Sequence, residues 1–356
     1  MNLPEHGANP HRLYKQAGQN RPADIIDFSE NIHPFGPPVF VKQQWPEFLG
    51  LLTAYPDPEA EPFRSAAAQY HGVDKAQLAA GNGAAEIFTW LARRYRNKRV
   101  LLVEPGFSEY RSTLSAEGAQ IMEIDLRENE WKLNREQVKS KIEGCAAFYV
   151  CNPHNPTGRL IGIDELADIA ELCRGVCELV VDEAFIDFVG EQASFVAWMK
   201  NYPHVIVVRS MTKMYALAGL RLGYVIADPA VILQLTEGAA HWNVNSLAAA
   251  AGARCFSEAI YRTQVIEGAS NEREKMEDFL TETGCVFIPS AANFLCFQLP
   301  DPSDSDQFFS AMLAKGIVLR HTYSFKGMDG KWFRIGMKSA AAMEKLRKEM
   351  REWMAN

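Results

Sequence analysis

No run of this sequence approaches the roughly 20 apolar residues that a membrane-spanning helix needs, although 47% of its 356 residues are hydrophobic. The opening, MNLPEHGANPHRLYKQAG, also lacks the apolar core of a signal peptide, so a cytoplasmic protein without a membrane partner is expected. Positive charge is not in excess: 37 Lys and Arg stand against 44 Asp and Glu, a net charge of -7. Nucleic acid and anionic lipid are therefore not expected partners. The one basic cluster, RRYRNKR (Arg93 to Arg99), reads as the solvated end of a helix. Cysteine is scarce and odd in number, seven in all, scattered through apolar segments. That pattern argues against a disulfide framework and suits small buried side chains in a reducing compartment. Cys173 and Cys177 have no second pair and no histidine motif to complete a zinc site, so no metal is expected.

What the sequence does have is alternation. Short β-branched or apolar runs (RVLLVEP, AQIMEIDL, AAFYVCNP, ELVVDEAF, HVIVVRS, LGYVIAD) are separated by helical patterns. This predicts an α/β fold with a mostly parallel sheet flanked by helices. Beyond residue 245 a long helical stretch runs through Met276, followed by the strands CVFIP, NFLCFQL, IVLRHT and WFRIGM and a closing helix. These predict a smaller C-terminal α+β domain. In its last helix Met343, Leu346, Met350 and Trp353 recur at helical spacing and are read as core. The first eighty residues, rich in Pro, Gly and Asn, read as an extended arm with turns and one short helix, FRSAAAQYHG.

In open α/β sheets ligands sit outside the carboxyl ends of the strands, and the unusual polar residues fall there. RSMTKMYALAGLRLGY delivers Ser210, Lys213 and Arg221 from one strand end, a potential nucleophile bracketed with a fixed anion partner. VVDEAF ends an apolar strand on Asp182, a carboxylate that is costly to bury without a cation. NPHNPTG adds the amide of Asn155 at the same edge. GNGAAEIFTWLA sets a glycine turn before a helix, where backbone N–H groups can approach an anion. It departs from G-x-G-x-x-G and lacks a long preceding strand, which argues against a nicotinamide dehydrogenase. A lysine nucleophile, an acid for a ring nitrogen, an amide for a ring hydroxyl, and backbone plus cations for a phosphate are the parts that pyridoxal 5'-phosphate (PLP) requires.

GNGAAE, PGFSEY, NPHNPTG, DEAF, SMTK and GLRLGY occur in that order, and through them nearly the whole chain resembles the fold-type I PLP-dependent enzymes related to aspartate aminotransferase. The resemblance implies that Lys213 carries PLP covalently, that Asp182 holds the ring nitrogen, that Phe107 stacks on the ring and that Asn155 bonds its 3'-oxygen. Gly83, Ala84, Ala85, Ser210 and Arg221 would hold the phosphate. Tyr55, in AYPDP, matches the tyrosine that reaches the phosphate of a neighbouring subunit, implying a homodimer with shared sites. Arg334, in FRIGM, matches the arginine that grips the substrate carboxylate. The implied domains are an N-terminal arm (1–45), a large PLP-binding domain (46–245) and a small C-terminal domain (246–356).

Within that family DFSENIHPFG, EHGAN and DEAFIDF are similar to the L-threonine O-3-phosphate decarboxylases of cobalamin biosynthesis, with histidinol-phosphate aminotransferases as the alternative. Phe185 stands where typical aminotransferases place a tyrosine that donates to the cofactor 3'-oxygen. His33 stands where those decarboxylases carry an asparagine. The likeness implies a phosphorylated amino acid as substrate, with Arg320, His6 and Lys338 as candidates for its phosphate and Asn31 beside Arg334 at its carboxylate. A PLP-binding regulator without turnover is a third reading, for which the chain has no spare DNA-binding domain.

Overall fold

The structure is a computed structural model and describes residues 3–355. Its strands are β1 (Ile26–Asp27), β2 (Leu78–Asn82), β3 (Arg99–Glu104), β4 (Gln120–Asp125), β5 (Ala147–Cys151), β6 (Glu178–Asp182), β7 (Val205–Ser210), β8 (Leu222–Ile226), β9 (Val286–Ile288), β10 (Phe294–Gln298), β11 (Ile317–Val318), β12 (Arg320–His321) and β13 (Phe333–Gly336). Seven of them form the central sheet in the order β2-β8-β7-β6-β5-β3-β4. All neighbours from β4 to β7 are parallel, while β8 is antiparallel to both β7 and β2.

The alternation of side chains along each strand divides the core in two. Leu101, Phe148, Leu179 and Val207 pack on one face, and their successors Leu102, Tyr149, Val180 and Val208 pack on the other. With helices over both faces, β5, β7 and β8 are buried at every position, which is why they read as unbroken apolar runs. The reversal of β8 follows from its connection. Residues 211–221 hold a single turn of 3-10 helix and no crossover helix, so the chain returns beside β7 in the opposite direction.

Three expectations are corrected. The glycine turn does follow a strand, β2, whose small residues (Leu-Ala-Ala-Gly-Asn) carry little β signal. The helical stretch after residue 245 is two helices, Ser246–Cys255 and Ala259–Glu282, the second running past Met276. The N-terminal region is not simply extended: Pro10–Ala17 is a helix with Pro at its start, the Asn9 side chain capping Arg12 N–H, and Gly18 in the left-handed region at its end.

The C-terminal strands form a separate antiparallel sheet ordered β12-β13-β10-β9. The predicted strand IVLRHT is split at Leu319: β11 pairs in parallel with β1, Ile26 opposite Ile317, while β12 pairs with β13. Met343, Leu346 and Met350 are fully buried in the core, and Trp353 packs edge-on against Phe308. All seven cysteines are buried and free. No helix among the described residues is long and apolar enough to cross a membrane.

Candidate active site

From β3 the chain leads outward to β4, and from β5 onward it leads the other way, so the loops after β3 and β5 part at their carboxyl ends. A crevice must form at such a point. A cavity of about 300 Å³ lies there, walled by Phe107, Asn155, Asp182, Phe185, Lys213 and Arg221 together with residues of the N-terminal segment and the C-terminal sheet.

Asp182 ends β6 and is buried. One carboxylate oxygen accepts from Ala184 N–H at 3.0 Å and the other from the Tyr110 hydroxyl. Burial pushes its pKa up, against the opposing pull of Tyr110 and then Lys213. Lys213 lies just past β7. Its Nζ donates to Ser210 Oγ at 3.1 Å and stands 5.4 Å from the centre of the Phe185 ring. Burial pulls its pKa down despite the attraction of Asp182, with Arg221 and Arg334 adding to the fall. An amine biased toward its neutral form beside a buried acid is a prepared nucleophile.

Across the cavity Gly83 precedes the helix Ala84–Arg94, and no side chain caps it. The first N–H groups of that helix therefore lack an intrahelical acceptor. Gly83 has φ +75°, and a Cβ there would lie 2.7 Å from Arg221 Nη2, so the guanidinium rests over the glycine. Gly223 of β8 allows the close approach beneath, where a Cβ would meet Ala84 N at 2.5 Å. Helix N-terminus and guanidinium together form an anion cradle.

The opposite wall is also cationic. Arg334 donates to Asn155 Oδ1 at 2.6 Å and to Ser29 O at 2.9 Å, while its Nε is buried without a partner. Arg320 donates to Ser324 Oγ at 2.6 Å, to His321 O at 2.9 Å and to Glu5 O. Burial lowers the pKa of Arg334 to about 10 and that of Arg320 to about 9, with Arg334 adding to the latter. Neither makes an ion pair with a described residue. Asn31 lines the same wall with a buried, unpartnered Oδ1.

The N-terminal segment closes the cavity. Gly7 crosses Ser29 so closely that a Cβ would sit 2.3 Å from its carbonyl oxygen, and Ala8 N–H donates to Ser29 Oγ at 3.0 Å. His6 lines the cavity edge-on to Phe107, its Nε2 3.2 Å from Glu109.

The remaining expected residues lie elsewhere. Ser210 is buried behind Lys213, and Thr212 takes its place in the wall; of the Gly83-Ala84-Ala85 turn only Ala84 lines the cavity. Tyr55 is 80% exposed and packs, tilted, against Trp242 at 4.7 Å, outside the cavity. Lys338 does not line the cavity but is bound behind two residues that do, donating to Glu30 and to Ile32 O, both at 3.0 Å. His33 is buried between Tyr261 and Phe35 N–H. Sequence reasoning missed Tyr110; its spacing of three from Phe107 at a helix start was the available signal, since such residues share a face.

Residues 23–350 match the family described as aminotransferase class I and II. The threonine-phosphate decarboxylase of Salmonella typhimurium is 32% identical over 345 residues, covering 96% of this chain and 94% of the relative. A histidinol-phosphate aminotransferase of a Geobacillus species is 29% identical, with 83% and 82% covered. Among solved structures, the histidinol-phosphate aminotransferase from Clostridium acetobutylicum aligns with a TM-score of 0.88 at 26% identity, over 92% of this chain and 99% of that one.

Proposed function

The chain belongs to the class I and II aminotransferases, and on that premise we propose that it is a PLP enzyme that decarboxylates L-threonine O-3-phosphate to (R)-1-amino-2-propanol O-2-phosphate, a step of cobalamin biosynthesis. The observation that carries this reading is the pair Arg320 and Arg334, two buried guanidinium groups on one cavity wall that make no ion pair with a described residue. Two buried cations without a direct acid partner call for two anionic groups on one ligand. In O-phosphothreonine only Cα, Cβ and the ester oxygen separate the carboxyl carbon from phosphorus.

The donor set fits PLP: the Gly83–Ala84 helix start and Arg221 for its phosphate, Asp182 for its ring nitrogen, the free Nδ2 of Asn155 for its 3'-oxygen, Phe107 for its face and Lys213 for its aldehyde. When bound, PLP supplies an electron sink for the pair released as a bond to Cα breaks. The protein decides which bond that is. Arg334, fixed by Asn155 and Ser29, would hold the carboxylate, and Arg320 the phosphate. Lys213 Nζ would return a proton to Cα, and Asp182 would keep the ring nitrogen paired with negative charge. The segment around Gly7, packed on Ser29, would limit the access of water.

Purified holoenzyme given O-phospho-L-threonine without any keto acid tests the reading. Sustained CO2 release is expected. The relative at 29% identity favours a second reading, histidinol-phosphate aminotransferase. No CO2, with amino transfer from histidinol phosphate to a keto acid, would establish that one instead.

The protein would work as a homodimer. Tyr55 at 80%, Leu52 at 62% and Leu49 at 50% exposure present apolar surface from one short segment, as expected of residues that a second copy covers. Sedimentation at micromolar concentration, with a mass of one chain, would count against it.

A further inference from the structure

A second cavity, of about 210 Å³, lies on the other side of the loop 152–158: His154 lines it, whereas the next residue, Asn155, lines the first. Its walls are apolar on one side, built by Val103 and Val150 from the sheet and by Leu126, Trp131, Leu133 and Ile161 around them, and polar on the other, where Asn129, Lys132, His154, Arg159 and Glu165 lie. Two cations line it, Arg159 and Lys132. Arg159 Nε is buried and has no hydrogen-bond partner, and its guanidinium makes no hydrogen bond or ion pair with a described residue. Lys132 shares the wall with a carboxylate, Glu165, whose pKa burial pushes up, Lys132 pulls back and Asp168 pushes up again. His154 Nδ1 is engaged by Thr157 Oγ1 at 2.8 Å, and burial lowers its pKa to about 4, leaving it neutral.

A pocket with an apolar side and a half-buried guanidinium favours a ligand that answers both. Arg159 Nε is a buried charged donor left unsatisfied, so an anion beside it is favoured. An inorganic phosphate would leave its remaining oxygens against leucine and valine, at the same kind of cost. A carboxylate on a flat or branched hydrocarbon satisfies both the guanidinium and the walls.

We propose that this cavity is a second small-molecule site, which binds an aryl or branched-chain carboxylate through Arg159. The site is independent of the decarboxylase reading. It sits at a seam of the fold: Trp131 packs edge-on against Trp332 of the C-terminal region at 5.2 Å, and Arg127 donates to Gly327 O at 2.9 Å beside it.

The test uses the holoenzyme and 4-bromobenzoate, whose bromine can be located by anomalous scattering in a soaked crystal while calorimetry measures affinity in solution. The expected result is bromine between Trp131 and Leu133 and a Kd on the order of 1 mM or below. Arg159→Gln should weaken binding at least tenfold. Leu133→Trp, which fills the cavity and keeps the arginine, should do the same. The neutral analogue 4-bromobenzyl alcohol should bind at least tenfold more weakly. Bromine found only between Arg320 and Arg334, equal affinity in Arg159→Gln, equal affinity of the alcohol, or binding at crystal concentration only would each overturn the proposal.

Discussion

Arg320 and Arg334 stand directly opposite each other on antiparallel strands β12 and β13. Like charges so placed repel, and no described carboxylate separates them, so the unliganded wall stores a repulsion that an anion relieves. Added phosphate should therefore stabilise the wild-type protein by up to about 2.7 kcal/mol at a hundredfold excess over its Kd. Arg320→Gln should lose most of that gain and raise KM for O-phosphothreonine roughly 10- to 100-fold, the loss of one or two charge-assisted bonds. Thermal unfolding with and without phosphate, then steady-state kinetics, would show it.

Tyr110 should tune Asp182. Tyr110→Phe leaves the acid with Ala184 N–H alone, so its carboxylate is less well held and its pKa rises further. PLP affinity should fall about 5- to 10-fold, a net bond of about 1 kcal/mol. Fluorescence titration of the apoenzyme with PLP measures this without any turnover. An unchanged Kd would mean that Tyr110 serves packing only.

Phe185 packs edge-on against Phe294 at 4.9 Å, with Lys213 over its ring. Phe185→Tyr would bring a hydroxyl to that neighbourhood. By stabilising an anionic 3'-oxygen, it should lower the pH midpoint of the holoenzyme's absorbance change by about 1 unit. A spectrophotometric pH titration of both proteins decides the point.

Burial holds His33 neutral in the folded protein, its pKa lowered from 6.5 to about 4. Between those values the unfolded chain binds a proton that the folded chain does not, so this group makes stability fall as pH drops through that window and has no effect above it. At pH 5 its share is about 2 kcal/mol. Urea unfolding at pH 7 and pH 5 should show His33→Gln losing that much less stability than wild type.

Gly83→Ala should weaken PLP binding more than tenfold. The position needs φ +75°, and the new methyl group would displace Arg221. Circular dichroism should remain that of the wild type; global unfolding in its place would remove the interpretation that the cradle alone is disturbed.

Much of the site was legible because each part sits at the end of a strand with a strong apolar signal. Asp182 ends β6, Ser210 ends β7, and Asn155 follows β5, so finding the strand located the residue. What stayed hidden depends on neighbours distant in sequence. The weak strand β2 is held by pairing with β8 rather than by its own residues. That Lys338 is bound by Glu30 rather than lining the cavity itself is settled by a partner 308 residues away. That Arg320 faces Arg334 is a matter of strand register, and the split of IVLRHT at Leu319 that creates it is driven by the pairing of β11 with β1. Composition carries no trace of either.

The pairing of Ile26 with Ile317 also sets an order in time. During synthesis the segment that covers the cavity emerges first, yet the strand that anchors it is made about 290 residues later. At a typical elongation rate of roughly 5 to 20 residues per second, the N-terminal segment waits for tens of seconds without its partner. The large sheet, complete by Ile226, can form during that interval. Closing the loop between residues 26 and 317 is then a late, entropically costly event, so the nascent protein should acquire its core well before it can enclose a substrate.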